Sequence, residues 1–220
     1  MKNHLDQLLE RYPALVPCRS DIFKAFRLLR ATFQDEGKLL LCGNGGSCSD
    51  AGHIAGELMK GFMRKRSLDP GLKEKLLRAD DMHGPTLADK LQRGLPAIPL
   101  SGSDALASAI SNDIDSDLVY AQQVLGMGKP GDALMAISTS GNSANVCRAV
   151  SVAHALGMKA VGLTGGDGGW LAKHCDVCIC VPGRMVPVIQ ELHLPVYHCL
   201  CRMLEDEFFM PATAGGALTQ

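Results

Sequence analysis

A histidine and a glutamate lie four residues apart in the first half of the chain, at His53 and Glu57. Side chains at this spacing project from the same face of a helix. An imidazole and a carboxylate that lie together can share a proton or bind a metal ion, so acid/base or metal chemistry is one interpretation. The same spacing is common in helices without a catalytic role, and the pair alone leaves both interpretations open.

A second group of polar residues lies in the otherwise apolar segment 188–205. Its members are Gln190, Glu191, His193 and His198. Polar groups in a buried helix need partners, and for Glu191 and His193 we favour a purely structural role. Gln190 and His198 are eight residues apart, about 12 Å along a straight helix. Pro195 lies between them, and a kink there could tilt both side chains toward one point.

Before His53, the apolar run Leu39–Cys42 precedes a glycine-rich segment and then residues spaced for a helix through Phe62. This order predicts a strand, a tight turn and a helix N-terminus. Glycines let backbone amides approach an anion, and the helix dipole favours negative charge there. The turn comprises Gly43, Asn44, Gly45, Gly46 and Ser47. Ser47 could cap the helix or donate its hydroxyl to a phosphate oxygen, and an ordinary capped turn is the alternative.

A second turn of the same kind follows the apolar strand predicted at 133–137. Its hydroxyl side chains are Ser138, Thr139, Ser140 and Ser143. Hydroxyls and backbone amides can bind a phosphate without a lysine. Two such turns in one small chain favour a phosphorylated small molecule over two unrelated loops.

The spacing argues against a dinucleotide-binding turn. The segment Gly43-x-Gly45-x-x-Cys48 lacks the third glycine. The basic run 63–66 also stands where the ribose-binding carboxylate is expected.

The elements that would position these residues follow from the apolar pattern. Strands are predicted at 39–42, 97–100, 133–137, 160–163 and 177–181. Because helices or long turns separate most of them, the fold class is α/β, with a doubly wound, five-stranded parallel sheet. Carboxyl ends of such strands share one edge, so both turns should open on the same side.

The chain is predicted to form one domain over residues 1–220. Helical patterns at 5–36 supply N-terminal helices for core or oligomer packing, and Gly37 is a plausible helix C-cap. Residues 67–94 are charged and helix-prone, which predicts a helical insertion that could form a lid or a subunit contact. The tail 211–220 is small and polar, as expected of a flexible end.

Charge and composition exclude several function classes. The net charge of −1 argues against nucleic-acid binding. No apolar stretch approaches membrane-spanning length, and the charged N-terminus lacks a signal core, so we expect a cytoplasmic protein that does not bind membranes. The basic run Arg64–Arg66 is interpreted as a solvated helix end.

The nine cysteines are expected to be free thiols. Cys175, Cys178 and Cys180, preceded by His174, have the spacing of a metal or redox motif. Their alternation with apolar residues is typical of a buried strand, so core thiols are the preferred interpretation.

Four ordered motifs resemble the sugar isomerase (SIS) domain family and, within it, the phosphoheptose isomerases. They are CGNGGSxxDAxHxAxEL at 42–58, SND at 111–113, ISTSGNSANV at 137–146 and IQExHxxxxH at 189–198. The resemblance covers nearly the whole chain outside 67–94. It implies a flavodoxin-like, three-layer αβα fold. It also implies an enzyme that interconverts sedoheptulose 7-phosphate and D-glycero-D-manno-heptose 7-phosphate. A phosphorylated seven-carbon sugar is therefore the implied partner.

The resemblance also implies site roles, with Glu57 and His198 as the acid/base pair. It implies one zinc ion per subunit, held by His53, Glu57, Gln190 and His198. The implied substrate-binding residues are Asn44, Gly45, Gly46, Ser47, His53, Glu57, Asn112, Asp113, Ser138, Thr139, Ser140, Ser143 and Gln190. It further implies a homotetramer with active sites at subunit interfaces.

Three departures from the family pattern bear on the sugar rather than on the reaction type. Lys60-Gly61-Phe62 stands where many relatives carry Gly-Arg and an aromatic residue, and Lys60 and Arg64 are the candidates to replace that arginine. The other two are the insertion 67–94 and the loop 183–188. The alternatives are an isomerase of another phosphosugar and a catalytically silent SIS module that senses sugar phosphates or binds a protein.

Overall fold

The computed structural model describes residues 4–210. The helices are α1 (His4–Arg11), α2 (Arg19–Gln34), α3 (Gly46–Met59), α4 (Pro70–Ala79), α5 (Gly84–Lys90), α6 (Asp104–Ile110), α7 (Val119–Met127), α8 (Ala144–Ala155), α9 (Gly169–His174) and α10 (Val186–Phe209). The strands are β1 (Leu39–Gly43), β2 (Ala97–Pro99), β3 (Ala133–Ile137), β4 (Lys159–Gly165) and β5 (Val177–Val181). The strand prediction is confirmed, and the tail at 211–220 lies outside the described residues.

The five strands form one parallel sheet in the order β2-β1-β3-β4-β5. This is the flavodoxin-like order, in which the direction of winding reverses between β1 and β3. Gly43 pairs with Ile137 in the register of these two strands, so both strands end side by side. The predicted doubly wound sheet is confirmed, and its switch point lies where both glycine-containing turns begin.

Alternate residues of each central strand enter opposite layers of the core. Leu39 and Leu41 belong to the cluster packed under α1, α2, α3 and α10. Leu40 and Cys42 belong to the cluster packed under α7 and α8. Since β1 is buried throughout, both faces of the sheet are covered by helices, as a parallel sheet requires. In the part of the chain that the structure describes, no helix is long and apolar enough to cross a membrane.

The C-terminus of α2 differs from the prediction at Gly37. Glu36 takes the left-handed conformation with φ of 58°. The Gly37 N–H then bonds to the Thr32 carbonyl at 2.8 Å and the Glu36 N–H to the Phe33 carbonyl at 3.3 Å, which is a Schellman motif. Gly37 is needed for a different reason, because a Cβ there would lie 2.6 Å from the Gly131 carbonyl oxygen.

The predicted insertion is helical and comprises α4 and α5, and it is closed by a bridge between Ser67 and Gln92. No residue of α4 is buried. The interpretation of Arg64–Arg66 as a solvated helix end is wrong for Arg66, whose side chain is buried against Glu205. That interior pair holds the base of the insertion against α10.

The cysteines at positions 175, 178 and 180 are half-buried beside β4 rather than fully in the core. All nine cysteines of the chain are free. Burial raises the pKa of Cys175 to about 12, so this thiol stays protonated at neutral pH. The preference for structural thiols over a redox motif is therefore supported, although the side chains are less enclosed than expected.

The burial of His193 leads us to predict that the protein loses stability in acid. Its fully buried ring makes no well-formed hydrogen bond within residues 4–210. Burial lowers its pKa to about 4, against a partly opposing effect of the Thr164 backbone. Between about pH 4 and about pH 6.5, His193 is therefore protonated in the unfolded chain but neutral in the folded chain. The free energy of unfolding falls as pH falls through that range.

We expect His193 to contribute a loss of about 2 kcal/mol between pH 7 and pH 5. Urea unfolding at both pH values measures it, with His193→Asn as the variant that cannot titrate. The wild type should lose more stability than the variant over this interval. Parallel losses in both proteins would contradict the assignment.

Candidate active site

The turn between β1 and α3 has the geometry of an anion site. Gly45, with φ of 55°, precedes the first residue of α3, and the first turn of this helix holds no acidic residue. The positive end of a 14-residue helix therefore points toward an exposed backbone at Asn44, Gly45 and Gly46. Ser47 does not cap the helix, because it lies inside the first turn, packed under Gly43.

The turn between β3 and α8 presents hydroxyls at the neighbouring position of the sheet edge. The Oγ atoms of Ser138 and Ser143 lie 2.9 Å apart. Ser140 is exposed, and its Oγ accepts a hydrogen bond from the Asn142 N–H at 3.2 Å. Thr139 accepts the Gly165 N–H on its carbonyl at 3.1 Å, which fixes the turn to β4. The structure thus places both predicted phosphate turns on adjacent strands.

An asparagine that the sequence reasoning missed joins these two turns. Asn44 Nδ2 donates to Asn145 Oδ1 at 2.9 Å, and Asn145 Nδ2 donates to Asn44 Oδ1 at 3.0 Å. Asn145 lies in the first turn of α8, 101 positions from its partner. Nothing in the local pattern marks it, since an asparagine near a helix N-terminus has many common roles.

His53, Glu57 and His198 meet beyond the first turn. His53 Nε2 lies 3.3 Å from Glu57 Oε1 and 3.5 Å from His198 Nε2. The predicted pairing on one helix face is therefore confirmed, and α10 adds the second histidine. The Phe62 ring covers His198 with 5.2 Å between centroids.

Two further residues select the tautomer of His53. Tyr197 donates its hydroxyl proton to Asp50 Oδ1 at 3.1 Å, so its oxygen accepts from His53 Nδ1 at 3.0 Å. This relay assigns the proton of neutral His53 to Nδ1. The Nε2 lone pair then faces Glu57 and His198, and a proton or a metal ion between these atoms would remove their repulsion.

The surroundings of His198 keep the imidazole neutral. Burial lowers the pKa of His198, and the neighbouring His53 and Arg202 lower it further, while Glu57 opposes them. A neutral imidazole can accept a proton or a metal ion on its free nitrogen. Glu57 Oε2 is buried without a hydrogen-bond partner and has Lys60 Nζ at 3.5 Å.

Lys60 Nζ lies 3.5 Å from the Glu57 carboxylate. Arg64 instead pairs with Asp206 at 3.3 Å. A side chain at position 61 would collide with the Arg64 carbonyl and with Gln92, so the loop needs glycine there. Of the two substitutes considered for the missing arginine, the geometry therefore favours Lys60.

Other predicted residues lie apart from this group. Gln190 packs against Gly46 so closely that a Cβ on Gly46 would overlap its Nε2. Asn112 and Asp113 lie in a π-helical segment and hydrogen bond to each other at 2.8 Å. Among residues 4–210, no described hydrogen bond or ion pair joins these three to His53, Glu57 or His198.

The donor chemistry of the histidine–glutamate group fits zinc. Two ligand atoms of a tetrahedral zinc ion lie about 3.3 Å apart, given bonds of about 2.0–2.1 Å. The separations of 3.3 Å and 3.5 Å around His53 Nε2 are close to this value. Over the described range 4–210, no three His, Cys, Asp or Glu side chains are placed so that they could hold a metal ion together. A side-chain adjustment is therefore required to bring the donors onto one ion.

Comparisons with known proteins agree with the fold and the motifs. The SIS domain family model matches residues 84–165. A phosphoheptose isomerase from Thiobacillus denitrificans is 41% identical over 201 residues, covering 90% of this chain and 87% of that relative. The chain belongs to the phosphoheptose isomerase family. A member from Roseiflexus sp. is 42% identical over 178 residues, covering 81% of this chain and 77% of the relative.

A solved structure supports the same placement. The phosphoheptose isomerase from Neisseria gonorrhoeae has a TM-score of 0.70 and 33% identity, covering 92% of this chain and 91% of that protein. Membership of the phosphoheptose isomerase family confirms the predicted family, the isomerase class and the three-layer fold. The roles of individual side chains and the zinc ion remain predictions.

Proposed function

We propose that this chain interconverts sedoheptulose 7-phosphate and D-glycero-D-manno-heptose 7-phosphate. The observation that carries the proposal is the grouping of His53, Glu57 and His198 on α3 and α10, beyond a phosphate turn at the sheet's switch point. His53 lies seven residues after the first residue of α3, about 10 Å along the helix. This distance is comparable to the length of a seven-carbon sugar phosphate.

The two turns would hold the phosphate and so fix the sugar. The helix dipole of α3 and the hydroxyls of Ser138, Ser140 and Ser143 bind an anion without a fixed positive charge, which permits release of the product. Holding the phosphate at the switch point directs the other end of the sugar toward Glu57. Orientation of this kind lowers the barrier because the substrate is already aligned with the catalytic groups.

The reaction moves one proton between C1 and C2 through an enediol and another between the two oxygens. In our proposal Glu57 takes the carbon proton and returns it to the neighbouring carbon. His198, held neutral by its surroundings, carries the proton between the oxygens, which requires that its lone-pair nitrogen is not bound to a metal ion during that step. Among residues 4–210 no group donates a hydrogen bond to Glu57 Oε2, which is buried and lies 3.5 Å from Lys60 Nζ.

We propose that one zinc ion per subunit is held by His53, Glu57 and His198, with Gln190 as the fourth predicted ligand. Such an ion would act as a Lewis acid on the carbonyl oxygen. Tyr197 and Asp50 would orient His53 through its Nδ1–H, as second ligand shells commonly do. Gln190 must turn from Gly46 to join the other three.

Metal removal tests this part of the proposal. Dialysis against a chelator should lower kcat/KM at least about tenfold, and added zinc should restore it. Elemental analysis should find one zinc per chain in wild type and much less in His53→Asn. Stoichiometric zinc in His53→Asn, or full activity in metal-free protein, would contradict the site.

We also propose a homotetramer in the cytoplasm. The predicted turn residues Asn44 and Ser140 are exposed in the single chain, which is consistent with active sites that a second subunit completes. The free cysteines agree with a reducing compartment. Light scattering on purified protein measures the assembly.

Direct observation of the sugar by NMR tests the reaction. Wild-type protein with zinc should convert sedoheptulose 7-phosphate to the aldose, and the reverse reaction should reach the same equilibrium. Binding without conversion would favour a silent sugar-phosphate sensor. Conversion of another phosphosugar with higher kcat/KM would instead identify a different substrate.

A further inference from the structure

The side chains of Asn44 and Asn145 form a closed pair between the two phosphate turns. Each amide donates one hydrogen bond and accepts one, at 2.9 Å and 3.0 Å. The pair spans the gap between the turn after β1 and the start of α8, which follows β3. Since β1 and β3 are neighbours at the switch point, the pair lies between the two segments assigned to the phosphate.

Asn145 is itself anchored to α8. Its Oδ1 also accepts the Val146 N–H at 2.9 Å, so one oxygen serves both the helix N-terminus and Asn44. The side chain therefore has little freedom to turn away from Asn44. Asn44, by contrast, belongs to an exposed turn that contains the positive-φ Gly45. In this pair α8 is the fixed element, and the glycine turn is the element that is held.

We propose that Asn145 is a positioning residue that fixes the separation of the two turns, so that one phosphate group contacts both. This inference rests on the proposed function of the turns. It also gives the Asn44 side chain a structural role, because its oxygen and one amide hydrogen already bond to Asn145. The backbone at 44–46 then remains as the part of that turn which faces the ligand.

The physical basis is preorganisation. An exposed amide pair stabilises the whole fold only modestly. Before substrate binds, however, the amide pair already holds the glycine turn in one position. Without the pair, the entropy lost in ordering this turn would oppose binding. Loss of the pair should therefore weaken phosphate binding and raise KM, while kcat changes little because Glu57 and His198 are untouched.

Asn145→Ala, Asn44→Ala and the double variant test this role. Two readouts are used: steady-state kinetics with sedoheptulose 7-phosphate, and binding of inorganic phosphate followed by the fluorescence of Trp170. This residue is the only tryptophan of the chain, and its backbone N–H donates to Asn142 Oδ1 in the turn between β3 and α8. Ser151→Ala, on the exposed face of α8, is the matched control.

We expect each single variant to raise KM and the phosphate Kd about five- to tenfold, with kcat within about threefold of wild type. The double variant should be no worse than either single variant, since both remove the same pair. Asn44→Ala leaves α8 intact and keeps the test valid if Asn145→Ala fails to fold. Unchanged KM and Kd, losses that add in the double variant, or a fall in kcat alone would overturn the proposal.

The wild-type result separates this inference from the proposed function. If wild type binds phosphate but converts no sedoheptulose 7-phosphate, the isomerase proposal fails. Weaker phosphate binding in both asparagine variants would still support the positioning role in that case. If wild type is active and the variants bind phosphate as it does, only the positioning role fails.

Discussion

Replacing Glu57 with glutamine is expected to lower kcat by at least about a hundredfold, the low end of the range for loss of a general base. The amide has nearly the same shape as the carboxylate but cannot accept the carbon proton. The side chain lies 3.3 Å from His53 and is mostly buried, so the change acts on an enclosed group. NMR measurement of turnover under saturating substrate gives the loss directly.

Solvent exchange provides a second readout for Glu57. In deuterated water the wild type should introduce deuterium at the carbon that exchanges its proton, and Glu57→Gln should lose this exchange together with turnover. Glu191→Gln is the matched control, because it makes the same chemical change on an exposed position of α10. Retained exchange in Glu57→Gln would assign the proton transfer to another residue.

The largest stability effect is expected at Glu205. Its carboxylate lies 2.9 Å from Arg66 Nε, and the two side chains are 1% and 0% exposed. It also accepts the backbone N–H groups of Phe62 and Met63, each at 2.8 Å. Burial alone would raise the pKa of Glu205, but these hydrogen bonds and Arg66 hold it below its ordinary value.

Glu205→Gln should lower the free energy of unfolding by about 3–5 kcal/mol, because it leaves the Arg66 charge buried without a counterion. Chemical denaturation measures the loss. Glu74→Gln is the matched control, since Glu74 pairs with Arg78 at 2.6 Å on the exposed surface, where ion pairs contribute little. Similar losses in both variants would show that the buried pair contributes no more to the free energy of unfolding than the exposed pair.

This interior pair also supports helix α3, which bears Glu57. Arg66 donates to the carbonyl of Leu58 at 2.6 Å and to that of Glu57 at 3.0 Å, so it caps the C-terminus of α3. The segment that the sequence reasoning interpreted as a solvated basic run therefore holds the end of the helix that bears Glu57. A run of like charges cannot show this role, because the acidic partner lies 139 positions away.

Sequence by itself determined the layers of the fold, the two strand-to-helix turns that are rich in glycine and hydroxyl residues, and the family. Strand pattern, glycine turns and helical spacing are local properties, and each motif lies on a single element that its own residues specify. The helical spacing of His53 and Glu57 likewise placed them together before the fold was known. Local rules were less reliable at the end of α2, where the left-handed residue is Glu36 rather than Gly37.

Only the tertiary structure decided which distant side chains meet. It placed His198 beside His53, Gln190 against Gly46, and Asn145 against Asn44. These pairings depend on how α3, α8 and α10 pack on the sheet, and a shift of one helical turn would change every one of them. Side-chain partners across elements are set by packing of the whole core, which no single segment of the sequence encodes.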